Sequence, residues 1–221
     1  MLKVPEMKPV QRIQANFLAK AERRALTWMC ARLPAWVTPD ALTALGLFGA
    51  FLIFAGYVLS AVHPAWLWLV VAGFVVHWLG DSLDGSLARF RRIERPDFGY
   101  FIDHSTDGLA NLLILAGLGF SPFVRLDIAL FALAGYLLLS VHAFLAARVV
   151  GELRLSYLNA GPTELRLALI AITLAMFAFG TLPTAGAGLT VFDLIVGAVG
   201  VIMVVLFVVQ TLVTARALTT K

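Results

Sequence analysis

The sequence predicts an all-α integral membrane protein with six transmembrane helices, preceded by an N-terminal amphipathic helix at the membrane interface. Hydrophobic residues make up 61% of the 221 positions and charged residues only 14%, a balance far more apolar than that of a soluble domain. Six apolar stretches are each long enough to cross a bilayer. A single cysteine, Cys30, gives no disulfide or zinc framework to argue from.

The first 35 residues form a basic arm. They contain no unbroken apolar core and no small-residue cleavage site, so they do not read as a secretory signal. Apolar and basic side chains are mixed through residues 9–32, which predicts an amphipathic helix against anionic headgroups, with Trp28 and Trp36 at interfacial depth. An arm packed on the helical bundle is the open alternative.

Residues 36–221 are predicted to form one membrane domain. The apolar stretches cover residues 42–62, 65–84, 101–121, 126–148, 164–182 and 190–214. His63-Pro64, the polar segment 121–127 and the Gly/Pro/Thr-rich segment 180–190 would be turns on one side of the membrane. Of the 17 lysines and arginines, all but Arg125 then lie on the other side. The positive-inside rule therefore predicts a multi-pass protein with both termini in the cytoplasm. The net charge of +4 follows from this topology and does not indicate nucleic-acid binding.

Four aspartates interrupt this apolar chain between the second and third stretches. Asp81 and Asp84 are three residues apart, and Asp103 and Asp107 are four apart, so on helices each pair shares one face. Carboxylates at membrane depth are costly and usually functional. Oxygen-only ligands favour Mg²⁺ or Mn²⁺ over zinc. Four converging carboxylates would repel one another unless cations neutralised them, so we expect two divalent ions, a pair suited to phosphoryl displacement. The cytoplasmic side would hold this site.

The segment around these aspartates resembles the signature of the CDP-alcohol phosphotransferase family. That signature is DxxDGxxAR, eight or nine residues, then GxxxDxxxD. Every position is matched here, by Asp81, Asp84, Gly85, Ala88, Arg89, Gly99, Asp103 and Asp107. The six-span architecture is similar to that of the family as well. From the residues themselves, Gly85 and Gly99 would let the backbone approach a ligand, and Arg89 suits bidentate recognition of phosphate.

The resemblance implies the reaction. A CDP-alcohol would donate its phosphoalcohol or phosphatidyl group to an acceptor hydroxyl, and CMP would leave, as a step of phospholipid biosynthesis. The family's fourth aspartate acts as the base, which makes Asp107 the candidate, with Asp81, Asp84 and Asp103 chiefly metal ligands. The resemblance also implies a homodimer, for which Gly197 and Gly200 would permit close helix contact. Packing within the chain is the open alternative for both glycines.

Two further segments resemble family elements. Thr38-Pro39-Asp40 followed by Thr43 is similar to a PN-x-x-T segment that opens the first span, with Asp40 in place of asparagine. The alternative is simply a helix start, capped by Thr38 with Pro39 in its first turn. Gly161-Pro162-Thr163-Glu164 with Arg166 resembles the GPTE segment of choline and ethanolamine phosphotransferases, which makes Glu164 and Arg166 candidate substrate contacts.

His104 favours the same branch, because Asp-His-x-x-Asp at the second pair is typical of choline and ethanolamine enzymes. It could help deprotonate the acceptor. Since it follows Asp103 directly, it points about 100° away from the metal face, and a supporting hydrogen bond is equally consistent with the sequence.

Whether the lipid is donor or acceptor stays open at this stage. A lipid hydroxyl such as diacylglycerol could attack a soluble CDP-alcohol, or CDP-diacylglycerol could donate to a small alcohol, with the same eight residues. Two other classes compete. A UbiA-type prenyltransferase also uses aspartate pairs around Mg²⁺, but on widely separated helices. A transporter could use the acidic residues as a cation path near the midplane.

Overall fold

A computed structural model describes residues 11–13, 19–150, 152–154, 162–184 and 188–219. Seven α-helices account for most of the described chain. They are α1 (Ala19–Cys30), α2 (Pro39–Leu59), α3 (Leu67–Arg91), α4 (Pro96–Gly119), α5 (Leu126–Val149), α6 (Pro162–Phe179) and α7 (Val191–Thr219). A 3₁₀ turn, Pro64–Trp66, joins α2 to α3. The predicted all-α architecture is therefore largely confirmed.

Two three-residue strands depart from the all-α prediction. β1 (Gln11–Ile13) pairs in parallel with β2 (Glu152–Arg154), with Arg12 opposite Leu153. The pairing ties the N-terminal arm to the segment that follows α5. The remainder of the predicted arm, residues 1–10 and 14–18, lies outside the described residues.

Helices α2 and α3 form the most extensive contact of the bundle. Small residues at the crossing allow it: a Cβ on Gly49 would lie 2.7 Å from the His77 Cα, and one on Gly73 would lie 2.9 Å from the backbone nitrogen of Ile53. Such small-residue seams let backbones approach closely in membrane helices. Helix α2 is thereby fixed against α3, the helix that carries Asp81.

Helix α2 also packs on α4, which in turn contacts α5, and α5 pairs with α7. At the last of these crossings, a Cβ on Gly200 would lie 3.0 Å from the Ala132 Cα. Gly200, one of the two glycines considered for a dimer contact, thus serves packing within the chain. Gly197 faces Ile128 at 3.6 Å, an ordinary van der Waals distance.

Helix α1 packs across the end of α3. Leu26 and Cys30 are buried in a cluster with Leu83 and Leu87 of α3, while Trp28 stays exposed. One face of α1 therefore packs on the helical bundle, as the alternative interpretation of the arm predicts. Its position in a membrane interface remains a prediction.

Four helical segments are long and apolar enough to cross a membrane among the residues described: Pro39–Leu59, Pro64–Arg91, Leu126–Val149 and Val191–Thr219. These are predicted spans one, two, four and six. Helix α4, predicted span three, carries Asp97, Asp103 and Asp107 in its first half. Helix α6, predicted span five, has only 18 residues and includes Glu164 and Arg166. Polar residues thus weaken the membrane signal of α4 and α6.

Candidate metal and phosphate site

Helices α3 and α4 carry the two halves of the aspartate motif. Helix α3 does not stop at the predicted end of span two, residue 84, but continues through Arg91, where Arg92 ends it in a left-handed conformation. Helix α4 then starts at Pro96, because proline is favoured in the first turn of a helix. Both aspartate pairs therefore lie on helices, as their three- and four-residue spacing predicts.

Three of the four aspartates converge. Asp81 of α3 and Asp103 and Asp107 of α4 each place a carboxylate oxygen so that all three atoms lie within 4.8 Å of one another. All three side chains are half-buried. Helix α2 packs on both α3 and α4, so it holds the two motif halves in register. This donor set fits a hard divalent cation such as Mg²⁺ or Mn²⁺, because it is all oxygen and its negative charge is concentrated.

Asp84 lies beside this group and is held by α2. Its Oδ2 accepts a hydrogen bond of 2.7 Å from the Thr43 hydroxyl, and its Oδ1 accepts one from the Gly85 backbone N–H. The structure therefore brings together three predicted ligands in one cluster and holds the fourth by hydrogen bonds at its edge. Thr43, predicted as a nucleotide contact, is the side chain that orients Asp84.

A guanidinium reaches the cluster from α6. Arg166 forms an ion pair with Asp81, and its Nη2 lies 3.5 Å from the His77 Nε2. The His77 Nδ1–H donates to the Gly46 carbonyl at 2.9 Å, which leaves Nε2 as an acceptor. The predicted substrate contact Arg166 is thus in place beside the carboxylates.

The other cations near the motif have different partners. Arg89 lies against Gly85 and donates to the Ser86 hydroxyl at 3.3 Å. Arg95 pairs with Asp40 at an exposed position, so the nucleotide contact predicted for Asp40 would have to compete with this pair. Thr38 caps α2 by accepting from the Ala41 N–H, as the helix-start interpretation of that segment requires.

His104 faces α5 rather than the carboxylate cluster. Its ring packs edge-on against Tyr100 at 4.4 Å between centroids and lies 4.7 Å from the Phe144 ring. The turn of about 100° away from Asp103 that the sequence predicts accounts for this orientation. His104 still lines the cavity that contains the aspartates.

The aspartates open into a large cavity of about 1680 Å³. Its polar end is lined by residues of the motif, including Gly85, Ala88, Arg89 and Gly99. A Cβ on Gly99 would meet no atom within 4 Å, so the backbone there faces open space. A second, apolar wall comes from α5 and α7: Leu137, Val141, Val199, Ile202, Met203 and Leu206. The cavity thus joins a charged site to a surface suited to hydrocarbon.

Glu22 of α1 is not among the site residues predicted from the sequence. Its Oε1 accepts hydrogen bonds from the Trp78 Nε1–H and from the Thr163 hydroxyl, each 2.9 Å long. Glu22 therefore ties α1 both to α3 and to the start of α6. A signal was present, because Glu22, Leu26 and Cys30 are spaced four residues apart and share one helical face.

Arg91 is one of the basic residues counted on the predicted cytoplasmic side, and in the structure its guanidinium also contacts the backbone. Its guanidinium donates to the carbonyls of Leu33, Pro34, Ala35 and Val37, the shortest contact being 2.6 Å to Val37. It fixes the link between α1 and α2. Nothing in the local sequence distinguishes Arg91 from Arg92 for this task.

The family model for CDP-alcohol phosphatidyltransferase matches residues 36–213. The chain is 30% identical over 97 residues to human cholinephosphotransferase 1, and 30% identical over 105 residues to its Xenopus laevis counterpart. It is 32% identical over 104 residues to archaetidylinositol phosphate synthase of Pyrococcus horikoshii.

These alignments cover 41%, 45% and 47% of this chain, respectively. They cover 24% and 25% of the two cholinephosphotransferases and 52% of the archaeal synthase. The chain thus spans about half or less of the length of these relatives. The family match, in contrast, covers most of the chain, from the start of α2 into α7.

Proposed function

This chain belongs to the CDP-alcohol phosphatidyltransferase family, and we propose that it transfers a phosphoalcohol or phosphatidyl group from a CDP-alcohol to an acceptor hydroxyl. CMP would be released, and the product would be a phospholipid. The observation that carries the proposal is the convergence of Asp81, Asp103 and Asp107 within 4.8 Å, at three positions of the family motif. Membership of this family also removes the basis for a prenyltransferase or a transporter.

We assign metal binding to Asp81, Asp103 and Asp107, with Asp84 completing the set at the edge. Two Mg²⁺ or Mn²⁺ ions held there would stabilise the negative charge that develops on the diphosphate. The Thr43 hydrogen bond holds the orientation of the Asp84 carboxylate. We assign phosphate binding through charge-assisted hydrogen bonds to Arg89, whose guanidinium lies against Gly85. The open space at Gly99 would leave room for the donor beside the backbone.

Proton transfer is assigned to Asp107. The acceptor oxygen would attack the phosphorus distal to cytidine, and the bond from that phosphorus to the bridging oxygen would break. The bridging oxygen leaves with CMP, and the acceptor proton passes to the Asp107 carboxylate. His104, held by Tyr100 and Phe144, is the second catalytic candidate, because it lines the same cavity.

We propose a lipid as one of the two substrates. The apolar wall from α5 and α7 can bury hydrocarbon next to the charged site, and burial contributes roughly 0.8 kcal/mol for each methylene removed from water. A lipid hydroxyl acceptor follows the similarity to the cholinephosphotransferases. The donor would then be a soluble CDP-alcohol, held at the polar end through Asp40, Thr43 and Ala88, with Glu164 and Arg166 contacting substrate.

In the membrane, α4 and α6 would join the four strongly apolar segments to give six spans. Both termini and the acidic site would face the cytoplasm, which places the site where soluble CDP-alcohols are present. The amphipathic arm would lie at the same face against lipid headgroups. A homodimer is the proposed assembly, and crosslinking in detergent and in bilayers would test it.

The defining experiment measures CMP release by the purified protein with Mg²⁺ or Mn²⁺ and a panel of CDP-alcohols, with and without diacylglycerol. Lipid products are identified by mass spectrometry, and the productive donor–acceptor pair gives the direction of transfer. The Asp103→Asn variant is the matched control, since it removes one charge with little change in size. We expect metal-dependent CMP release by the wild type and a loss of roughly 10²-fold or more in the variant. Absence of CMP with every pair, from folded protein, would refute the proposal.

A further inference from the structure

Arg166 has an unusual position for a substrate-binding residue. Its guanidinium is paired with Asp81, one of the three clustered carboxylates. The side chains of Arg166 and Asp81 are only 13% and 22% exposed, so solvent screens the pair weakly. Arg89 and Arg95, which line the same cavity, contact Ser86 and Asp40 instead.

We propose that Arg166 is a built-in counter-ion of the acidic cluster, and that it competes with the divalent cation for Asp81. The inference rests on the proposed metal site. Arg166 would therefore set the affinity of the site for metal, in addition to any contact that it makes with substrate.

Two physical effects give this competition. First, the Arg166 Nη2 donates to the Asp81 Oδ2, and that oxygen lone pair is then unavailable to a metal ion. Second, a positive guanidinium beside the cluster repels an incoming divalent cation. By Coulomb's law, the guanidinium therefore lowers the affinity of the neighbouring carboxylates for any cation.

Helix α6 is anchored on either side of Arg166, but the Arg166 side chain is long enough to exchange partners. The Thr163 hydroxyl donates to Glu22 at 2.9 Å, and Thr173 and Tyr57 share a buried hydrogen bond of 2.7 Å. Arg166 lies between these two anchors. A change of partner therefore requires rotation about side-chain bonds and no movement of the helix.

The test is Mn²⁺ binding to purified protein in lipid nanodiscs, followed by the loss of the free Mn²⁺ paramagnetic resonance signal. Arg166→Gln removes the charge, and Arg166→Lys keeps it. Thermal unfolding of all three proteins is measured in chelator and in saturating Mn²⁺. We expect Arg166→Gln to lower the Mn²⁺ dissociation constant roughly tenfold, with Arg166→Lys closer to the wild type.

The unfolding data separate this role from a purely structural one. Loss of the counter-ion should lower the unfolding temperature of Arg166→Gln in chelator, where the carboxylates repel, and much less in Mn²⁺. A folded Arg166→Gln protein that binds Mn²⁺ no more tightly than the wild type would overturn the inference while leaving the proposed function intact. Failure of both proteins to bind Mn²⁺ would instead refute the metal site, and the inference with it.

Discussion

Asp84 and Thr43 form the contact through which α2 reaches the motif. The Thr43 hydroxyl donates to Asp84 at 2.7 Å and lies 3.2 Å from the Pro39 carbonyl. Asp84 is half-buried, so it depends on such donors for stabilisation of its charge. A threonine that looks like a nucleotide contact in the sequence is therefore also a positioning residue.

Replacing Thr43 by valine should destabilise the protein and impair the site, because Asp84 keeps its partial burial but loses a donor. We expect a loss of about 1–3 kcal/mol in the free energy of unfolding, measured by denaturant titration in mixed micelles. CMP release should fall in parallel. Thr43→Ser keeps the hydroxyl and should retain most of both properties. Equal behaviour of the two variants would show that the hydrogen bond is unimportant.

At the residue scale, the sequence predicts the chemical role of a side chain better than it predicts which residues that side chain contacts. Helical spacing alone sets the common face of Asp103 and Asp107. Their convergence with Asp81 of α3 depends on how the helices pack, and it was expected because a metal site needs several carboxylates together. The four backbone carbonyls that bind Arg91 could not be predicted. They come from a loop more than fifty residues away in the chain, and only tertiary packing brings that loop to α3.

At the scale of elements, α1 acts as a brace across the cytoplasmic end of the bundle in the proposed topology. Leu26 and Cys30 bury one face against α3, and Glu22 binds both Trp78 of α3 and Thr163 of α6. Because Arg166 lies one turn after Thr163, this contact of α1 also helps to position the Arg166 guanidinium beside the acidic cluster.

Glu22→Ala should therefore loosen both α1 and the start of α6. Hydrogen bonds to a charged group contribute roughly 1.5–3 kcal/mol each, so amide hydrogen exchange in both segments should rise. Arg24→Ala, which changes an exposed residue of the same helix, is the control. Exchange that increases in α1 alone would mean that Glu22 does not hold α6.

The glycine seam between α2 and α3 makes a second prediction at this scale. Alanine at Gly49 would place its Cβ 2.7 Å from the His77 Cα and push the helices apart. We expect a loss of about 1–3 kcal/mol in the free energy of unfolding from overpacking, despite the better helix propensity of alanine. Gly108→Ala is the matched control, since no atom lies within 4 Å of its Cβ. If both variants unfold alike, close packing at this seam is not required.

Element boundaries were harder to predict than element types. The continuation of α3 to Arg91 could not be predicted from the sequence, because the charged residues after Asp84 resemble a loop in a membrane protein. The β1–β2 pairing joins residues far apart in the chain, and neither strand has a periodic pattern long enough to indicate it. The six longer helices were found, because sustained apolar composition is a strong signal.

In the molecule as a whole, helices that carry polar residues of the candidate site are also predicted membrane spans. Helices α4 and α6 contribute Asp103, Asp107 and Arg166, and these residues make them the weaker membrane segments. Their N-terminal halves turn these residues toward a cavity that α2, α3 and α5 also line. Intramembrane charges are tolerated where they face such a cavity, so six spans remain consistent with four strong hydropathy signals.

Labelling of single cysteines tests this topology. With Cys30 replaced by alanine, cysteines at Val62, Pro122 and Thr181 should react from the side opposite to the cytoplasm. Cysteines at Ile93 and Leu218 should react from the cytoplasmic side. All five positions are exposed, and they lie at successive ends of the helices. The measurement is modification by a membrane-impermeant maleimide in right-side-out and inside-out vesicles.

The natural cysteine provides an internal check on the same experiment. Burial raises the pKa of the Cys30 thiol, so less of the reactive thiolate is present at neutral pH. Labelling of the unmodified protein should be slow from either side and should accelerate as the pH rises toward that raised pKa.

If α4 does not span the membrane, the cysteine at Pro122 will react from the cytoplasmic side together with the cysteine at Ile93. That result would put the α4–α5 turn on the cytoplasmic side of the membrane and would require a four-span arrangement.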